Sequence, residues 1–318
     1  LDNTEFHTVI ISRYICFLER FKNIKTNKLL LSLHDTDILC CMYEIDKQSI
    51  LQKNISHIDN VVVLTNYHKQ VISGKYPILN DKFTIINNGI DIGEIDINQV
   101  NENIENADSN PDNENIENEN NQSTILTYKI EINQSSREKI QNKFVYTSCS
   151  YRGLNTLLNM WPEILGRLPD ATLDIASYDT FPKNSDDATM LNTINQYSSI
   201  THHGKLNKRE LYDMISKAEY WFYPTHFYET SCITALEMLL HNTICIYYPI
   251  GGLVDTIGDK GITVNADNAI DTIVSLSTEK KALLRRNGRE YALSCSWKNR
   301  FASWKKLIGL YVTKRLKW

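Results

Sequence analysis

The sequence predicts an α/β protein whose strands form parallel sheets in two domains. Apolar, strand-like runs alternate with helix-like stretches along most of the chain, which is the pattern of parallel sheets. A length of 318 residues makes two domains the default. An acidic segment poor in apolar groups, residues 98–122, divides the alternation in two.

In the first part the strand-like runs are residues 8–12, 29–33, 61–65 and 83–86, with helix-like stretches at 14–22 and 67–74. Residues 98–122 hold seven acids and no Lys or Arg, and Asn-Glu-Asn-Ile-Glu-Asn occurs at 101–106 and again at 113–118. So few apolar groups cannot offset ordering entropy, and this insertion is expected to be disordered. A protein-binding tail is one reading of it and a tolerated insertion is the simpler one. The alternation resumes with strand-like runs at 144–147, 171–176, 200–203, 218–223 and 243–248. The chain closes with an amphipathic stretch, 297–316, in which Trp304, Leu307, Leu310 and Tyr311 share one helical face.

Residues 229–237 read Glu-Thr-Ser-Cys-Ile-Thr-Ala-Leu-Glu, between two strand-like runs. Thr230 or Ser231 is a natural N-cap for a helix, since a side-chain oxygen can accept from its first free N–H groups. Those N–H groups and the helix dipole favour an anion such as a diphosphate. Glu229 then lies just before the helix and Glu237 roughly 12 Å along it. Acids that far apart cannot share a metal, but each can accept from its own pair of sugar hydroxyls. Asn242 suits the left-handed position after the helix. The plain reading is a capped amphipathic helix with two surface acids.

Further motifs lie in order around this stretch. His34-Asp35 ends one strand-like run and Asn88-Gly89-Ile90-Asp91 ends another. Tyr151-Arg152-Gly153-Leu154, then Leu157-Leu158 and Trp161-Pro162, follow a third. Tyr223-Pro224 precedes Glu229, Gly251-Gly252-Leu253 follows Glu237, and Trp297 opens the last helix. Together these make the chain similar, over nearly its whole length, to retaining glycosyltransferases of the GT-B fold, the large group 1 (GT4) family.

The resemblance implies two Rossmann-like domains facing a cleft that holds a nucleotide sugar, since α/β sheets bind ligands beyond the carboxyl ends of their strands. It gives Glu229 the donor-sugar hydroxyls, Glu237 the ribose, Arg152 the diphosphate, and His34 the sugar side of the cleft. Lys205 and Leu206 fall near the base. Ser148, Thr230, Ser231, Cys232 and His226 fall on the donor side. Gly251 and Gly252 allow close backbone approach. Two departures stand out. Members with two basic residues at the diphosphate have one where this chain has Thr147 or Ser148. Thr-Ser-Cys also replaces a Gly-containing stretch. The family's N-terminal domain is longer before the Asn-Gly-Ile-Asp turn, and the chain starts with Leu1, so a fragment or processed piece is expected. Its parts are a partial acceptor-side domain (1–97), the insertion (98–122), a donor domain (123–296) and a crossover helix (297–318).

Net charge is −4; the seven acids of 98–122 exceed it and leave the rest at +3. That argues against nucleic acid and suits an anionic donor. Cysteines 16, 40, 41, 149, 232, 245 and 295 contain no C-x-x-C, which reads as a reduced, cytoplasmic chain. Three Asn-x-Ser sequons, at 54, 121 and 133, are expected by chance in so Asn-rich a chain. No apolar run reaches spanning length and no signal peptide is evident. Lys305, Lys306, Lys314, Arg315 and Lys317 allow at most peripheral membrane contact, with a solvated helix face as the simpler reading.

Asp35-Thr36-Asp37 has the form of a metal-binding D-x-D, but Asp35 serves more simply as an N-cap. His202 and His203, adjacent on a strand, point to opposite faces and do not read as ligands. His226 could contact donor or only its own loop. The expected activity is transfer of a hexose from a UDP- or GDP-linked donor to a glycan, lipid or protein hydroxyl, with retention, no cofactor and no metal. The alternatives are a degenerate nucleotide-sugar-binding module and, further off, a sugar-nucleotide epimerase, for which no acid/base set is visible.

Overall fold

The computed structural model describes residues 5–20, 25–40, 46–92, 138–177 and 184–309. The insertion at 98–122 lies outside them, as do residues 21–22 of the first expected helix and the final stretch from 310.

Two parallel sheets organise the chain. The first contains β1 (Glu5–Ser12), β2 (Lys25–Ser32), β3 (Asn60–Val63) and β4 (Phe83–Ile85), in the order β1-β2-β3-β4. Helices α1 (Phe17–Arg20), α2 (Lys47–Asn54) and α3 (Asn66–Lys75) connect or follow these strands. The second contains β5 (Ile140–Thr147), β6 (Thr172–Ala176), β7 (Ile200–Gly204), β8 (Ala218–Tyr223), β9 (Ile244–Tyr247) and β10 (Ile262–Thr263). Its order is β10-β9-β8-β5-β6-β7. Helices α4 (Leu154–Arg167), α5 (Ser185–Gln196), α6 (Lys208–Lys217), α7 (Ile233–Leu240), α8 (Leu253–Ile257), α9 (Ala269–Val274), α10 (Thr278–Ser294) and α11 (Trp297–Ile308) complete the chain.

Each sheet has its own core: Ile11 to Leu79 around the first, and residues from Phe144 to Cys295, joined by Ile90, around the second. Central strands are covered on both faces, so β8 and β9 are buried throughout and read as continuous apolar runs. Glu219, inside β8, is the charged exception; Lys281 and Arg285 neutralise it at 3.2 and 3.0 Å.

The first helix is shorter than its pattern. Arg13 sits at φ 65° and turns the chain, and Tyr14 bridges to Leu39, so α1 begins only at Phe17. The reduced reading does not hold throughout: among the described residues Cys16 is disulfide-bonded, whereas Cys40, Cys149, Cys232, Cys245 and Cys295 remain thiols.

The two sheets are tied by the chain's own return. Ile90 N–H donates to the Cys295 carbonyl (3.0 Å) and Trp297 N–H to that of Ile90 (3.1 Å). At the C-terminal end of α11, the Lys28 ammonium from β2 donates to the Leu307 carbonyl. Gly89 lies against Trp297 so closely that a Cβ would come within 2.7 Å of the indole. Gly89→Ala should therefore destabilise by about 1–3 kcal/mol through overpacking. A thermal melt checks this, and an unchanged midpoint would show the contact to be slack.

Candidate functional site

The strand order of the second sheet reverses at β5. The chain leaves β5 towards β6 on one side and later lays β8 on the other. Loops leaving the carboxyl ends of β5 and β8 therefore diverge and open a crevice. A cavity of about 260 Å³ fills it, lined by Thr147, Ser148, Arg152, Trp221, Tyr223 and Glu229, with Ser231 to Thr234 completing the wall. A larger cavity, about 520 Å³, lies beside β1 and α2, lined by residues such as Phe17, Lys53 and Asp59. It holds none of the expected site residues.

Arg152 and Glu229 meet in the smaller cavity. Arg152 Nη1 donates to Glu229 Oε1 at 2.9 Å, and the Tyr223 hydroxyl donates to the same oxygen at 3.0 Å. Gly153 makes this approach possible: at φ 113°, it leaves room where a Cβ would lie 2.8 Å from the Pro224 carbonyl. The guanidinium also lies 4.0 Å from the centre of the Phe227 ring. Burial raises the Glu229 pKa above the usual carboxylate value, against the pull of Arg152 and Tyr223. Burial works against the Arg152 cation, but Glu229, Tyr151 and Tyr223 together outweigh it and hold the guanidinium pKa up.

Three buried polar atoms of this wall have no hydrogen-bond partner among the described residues: Thr147 Oγ1, Arg152 Nε and Trp221 Nε1. Buried polar groups are nearly always paired, so three in one cavity suit a polar ligand. Ser148 Oγ lies 3.5 Å from the Tyr223 hydroxyl. The Cys232 thiol is driven well above its usual range by burial and stays neutral.

The helix start differs from the sequence expectation. Neither Thr230 nor Ser231 caps it; α7 begins at Ile233 with Cys232 at the N-cap and no side-chain cap. Thr230 is committed elsewhere: its hydroxyl donates to the His34 carbonyl (2.8 Å), and its own carbonyl accepts from the Thr65 hydroxyl (2.7 Å). Asn242 adopts the expected left-handed conformation, φ 60°.

Glu237 is buried and lies apart from the cavity wall. It accepts from the Lys208 ammonium and from the Tyr212 hydroxyl (3.1 Å). Lys205 is exposed and Leu206 is half-buried against the second core; the cation at Glu237 is Lys208. The signal for Lys208 was legible: Asn207 and Glu210 form a capping box, which puts Lys208 at the first position of α6.

His34 is half-buried, with Nε2 3.2 Å from Ser32 Oγ. Burial and the nearby Arg13 cation keep its pKa low. His226 is exposed and packs edge-on against Tyr248, at 5.8 Å. The backbone that Gly251 and Gly252 admit is the chain's own: Gly252 N–H donates to the Glu229 carbonyl (2.6 Å), and Cβ atoms at these glycines would lie 2.8 and 2.5 Å from the carbonyls of Glu229 and Thr230.

Asp35 caps no helix; both its oxygens accept from Arg13, at 3.0 and 2.8 Å. Asp37 accepts from Tyr76 (2.7 Å) and Lys47 (2.9 Å). The two acids thus serve separate partners. Among the described residues no group of three potential ligands could hold a metal. His203 pairs with Asp174 at 2.9 Å.

No protein-family model and no curated protein matches the sequence. Solved structures match its fold. The N-terminal domain of Candida albicans trehalose-6-phosphate phosphatase aligns with a TM-score of 0.64 at 16% identity, over 95% of this chain and 70% of that one. Sucrose-phosphate synthase from Thermosynechococcus elongatus gives 0.61 at 15%, over 96% and 73%. A point mutant of S. aureus TarM, in complex with Fondaparinux, alpha-GlcNAc-glycerol and UDP, gives 0.61 at 13%, over 92% and 53%. The chain thus spans about half of the TarM chain. The fold shared with them is GT-B.

Removing the Arg152 cation leaves only the Tyr223 hydroxyl to oppose burial at Glu229, so its pKa rises further. A carboxyl whose folded pKa lies above the ordinary 4.5 stabilises the fold while protonated and loses that contribution as pH rises through the folded value. Arg152→Met should cost roughly 3 kcal/mol at neutral pH and clearly less at about pH 4. Denaturant midpoints at both pH values test this, and a loss independent of pH would contradict it.

Proposed function

We propose that this chain is a glycosyltransferase that moves a hexose from a nucleoside-diphosphate sugar to an acceptor hydroxyl with retention of configuration. The observation that carries the reading is the cavity where the strand order reverses, with Arg152, Glu229 and three unpartnered polar atoms on one wall. Support comes also from the fold shared with sucrose-phosphate synthase, and from the TarM and pneumococcal GtfA structures, whose complexes contain UDP. UDP is accordingly the first donor base to test, with GDP the alternative; the acceptor is a glycan, lipid or protein hydroxyl.

In this reading Arg152 serves two partners at once. Nη1 holds Glu229 while the unpartnered Nε faces the diphosphate, a division that the five donors of a guanidinium allow. Thr147, Ser148 and the opening turn of α7 take the place of the second cation. Glu229, its charge favoured by Arg152 and Tyr223 against burial, accepts from a donor-sugar hydroxyl and orients the ring. Bond breaking builds charge on the leaving diphosphate, and the fixed donors around it stabilise that charge. The same diphosphate accepts the proton of the incoming hydroxyl on the face it leaves, so configuration is retained without a protein nucleophile. Glu237, Lys208 and Tyr212 take the ribose side, with Lys205 and Leu206 nearer the base. The proposed reaction is metal-independent, and the D-x-D acids are paired with Arg13, Lys47 and Tyr76.

A cytoplasmic setting fits the five cysteines among the described residues that remain thiols, with the Cys16 disulfide as the observation against it. Among the described residues no helix is long and apolar enough to cross a membrane.

Thermal unfolding against UDP, GDP, ADP and their sugars, in EDTA, tests the donor site. A ligand at about 100 times its dissociation constant adds roughly 2.7 kcal/mol, so one nucleotide should raise the midpoint, and Glu237→Ala should shrink the shift. No shift with any nucleotide would remove the reading. A shift without donor turnover would make the chain a binding module.

A further inference from the structure

The loop that carries Glu229 is held by the opposite domain. Thr65, at the N-cap of α3, donates its hydroxyl to the Thr230 carbonyl at 2.7 Å. Thr230 donates its own hydroxyl to the His34 carbonyl at 2.8 Å. His68 makes these two anchor points one body. Its Nδ1 accepts from Leu64 N–H (3.1 Å), which leaves Nε2–H to donate to the Asp35 carbonyl (2.9 Å). Burial lowers the His68 pKa to about 4 and keeps that tautomer neutral.

A second crossing lies beside the first. Asp255 of α8 places its carboxylate at the N-terminus of α3: Oδ2 accepts from Tyr67 N–H (2.8 Å) and Oδ1 from Asn66 Nδ2 (3.3 Å). Helix N-termini have free N–H donors and favour an acid, and here the acid belongs to the other domain. The Tyr67 and Tyr228 rings lie nearly parallel, 14° apart in tilt and 6.3 Å between centres.

Glu229 is thus fixed from three directions. Gly252 N–H holds its carbonyl, Arg152 and Tyr223 hold its carboxylate, and its neighbour Thr230 is pinned across the cleft. We propose that Thr230 is a positioning residue: clasped by His34 and Thr65, with Asp255 on α3 as the second clasp point, it sets the Glu229 carboxylate in place only when the two domains are closed. The inference rests on the proposed function, and it assigns to Thr230, Thr65 and Asp255 the coupling between domain closure and the reacting geometry. Opening breaks two hydroxyl–carbonyl bonds, the two hydrogen bonds to Asp255 and the Tyr67–Tyr228 ring contact, none of them part of either core, so donor can enter without disrupting the cores.

Two arms test it. Thr230→Val keeps the shape and deletes the hydroxyl. Its kcat for donor turnover should fall about tenfold through displacement of Glu229, while the Kd for the nucleoside diphosphate stays within about twofold of wild type; Thr230→Ser should restore kcat. Asp255→Ala should speed hydrogen exchange of the Tyr67 amide about fivefold, the scale of a lost helix cap. Unchanged kcat in Thr230→Val, or Tyr67 exchange indifferent to Asp255→Ala, would overturn the clasp. If the wild-type chain turns over no donor, the functional reading fails and the exchange arm alone decides whether the clasp exists.

Discussion

A carboxylate in the loop after β8, Glu229, is buried almost completely, and the site is built around offsetting the cost of its charge. Glu229 in an apolar surrounding would take up a proton, because burial penalises the ion. Arg152 and the Tyr223 hydroxyl oppose this from 2.9 and 3.0 Å. Arg152 in turn reaches Glu229 only because Gly153 can hold φ 113° against the Pro224 carbonyl. Gly251 and Gly252 press the loop from below. Each of these positions answers to the same constraint, and a side chain at any of the three glycines would push the loop away.

The wider cleft follows the same electrostatic rule. Arg13 neutralises Asp35, Arg152 neutralises Glu229, and Lys208 neutralises Glu237. No acid among these three stands alone, so the proposed anionic ligand would meet balanced charge, not a basic funnel. The donors that the pairs leave over would meet its charge, and Arg152 Nε is the clearest of them. This suits a ligand that is both anionic and rich in hydroxyls, since the carboxylates can exchange part of their cation contact for hydroxyl donors.

The strands were legible because both faces of a parallel sheet are covered, and the runs at 218–223 and 243–248 are apolar almost throughout. Arg152 and Glu229 were legible as a motif, yet nothing in the sequence placed them in contact, 77 residues apart. Thr230 was misread. A hydroxyl before a helix serves equally as a cap or as a long-range donor, and only the arrival of His34 and Thr65 from the other domain decides between them. Lys208 and Tyr212 escaped because their partner Glu237 lies on another helix, although the Asn207–Glu210 capping box marked where α6 begins. Asp35 was expected to cap a helix; the exposed Arg13, at a backbone φ of 65°, claims it instead.

The most direct test of the account follows a nucleoside-diphosphate hexose by proton NMR, with the chain, an acceptor and EDTA, for wild type and for Glu229→Ala. The account predicts release of the nucleoside diphosphate, a product with the donor's anomeric configuration, and a kcat lowered by at least about 10² in Glu229→Ala with nucleotide affinity little changed. An inverted product, or release undiminished in Glu229→Ala, would contradict it.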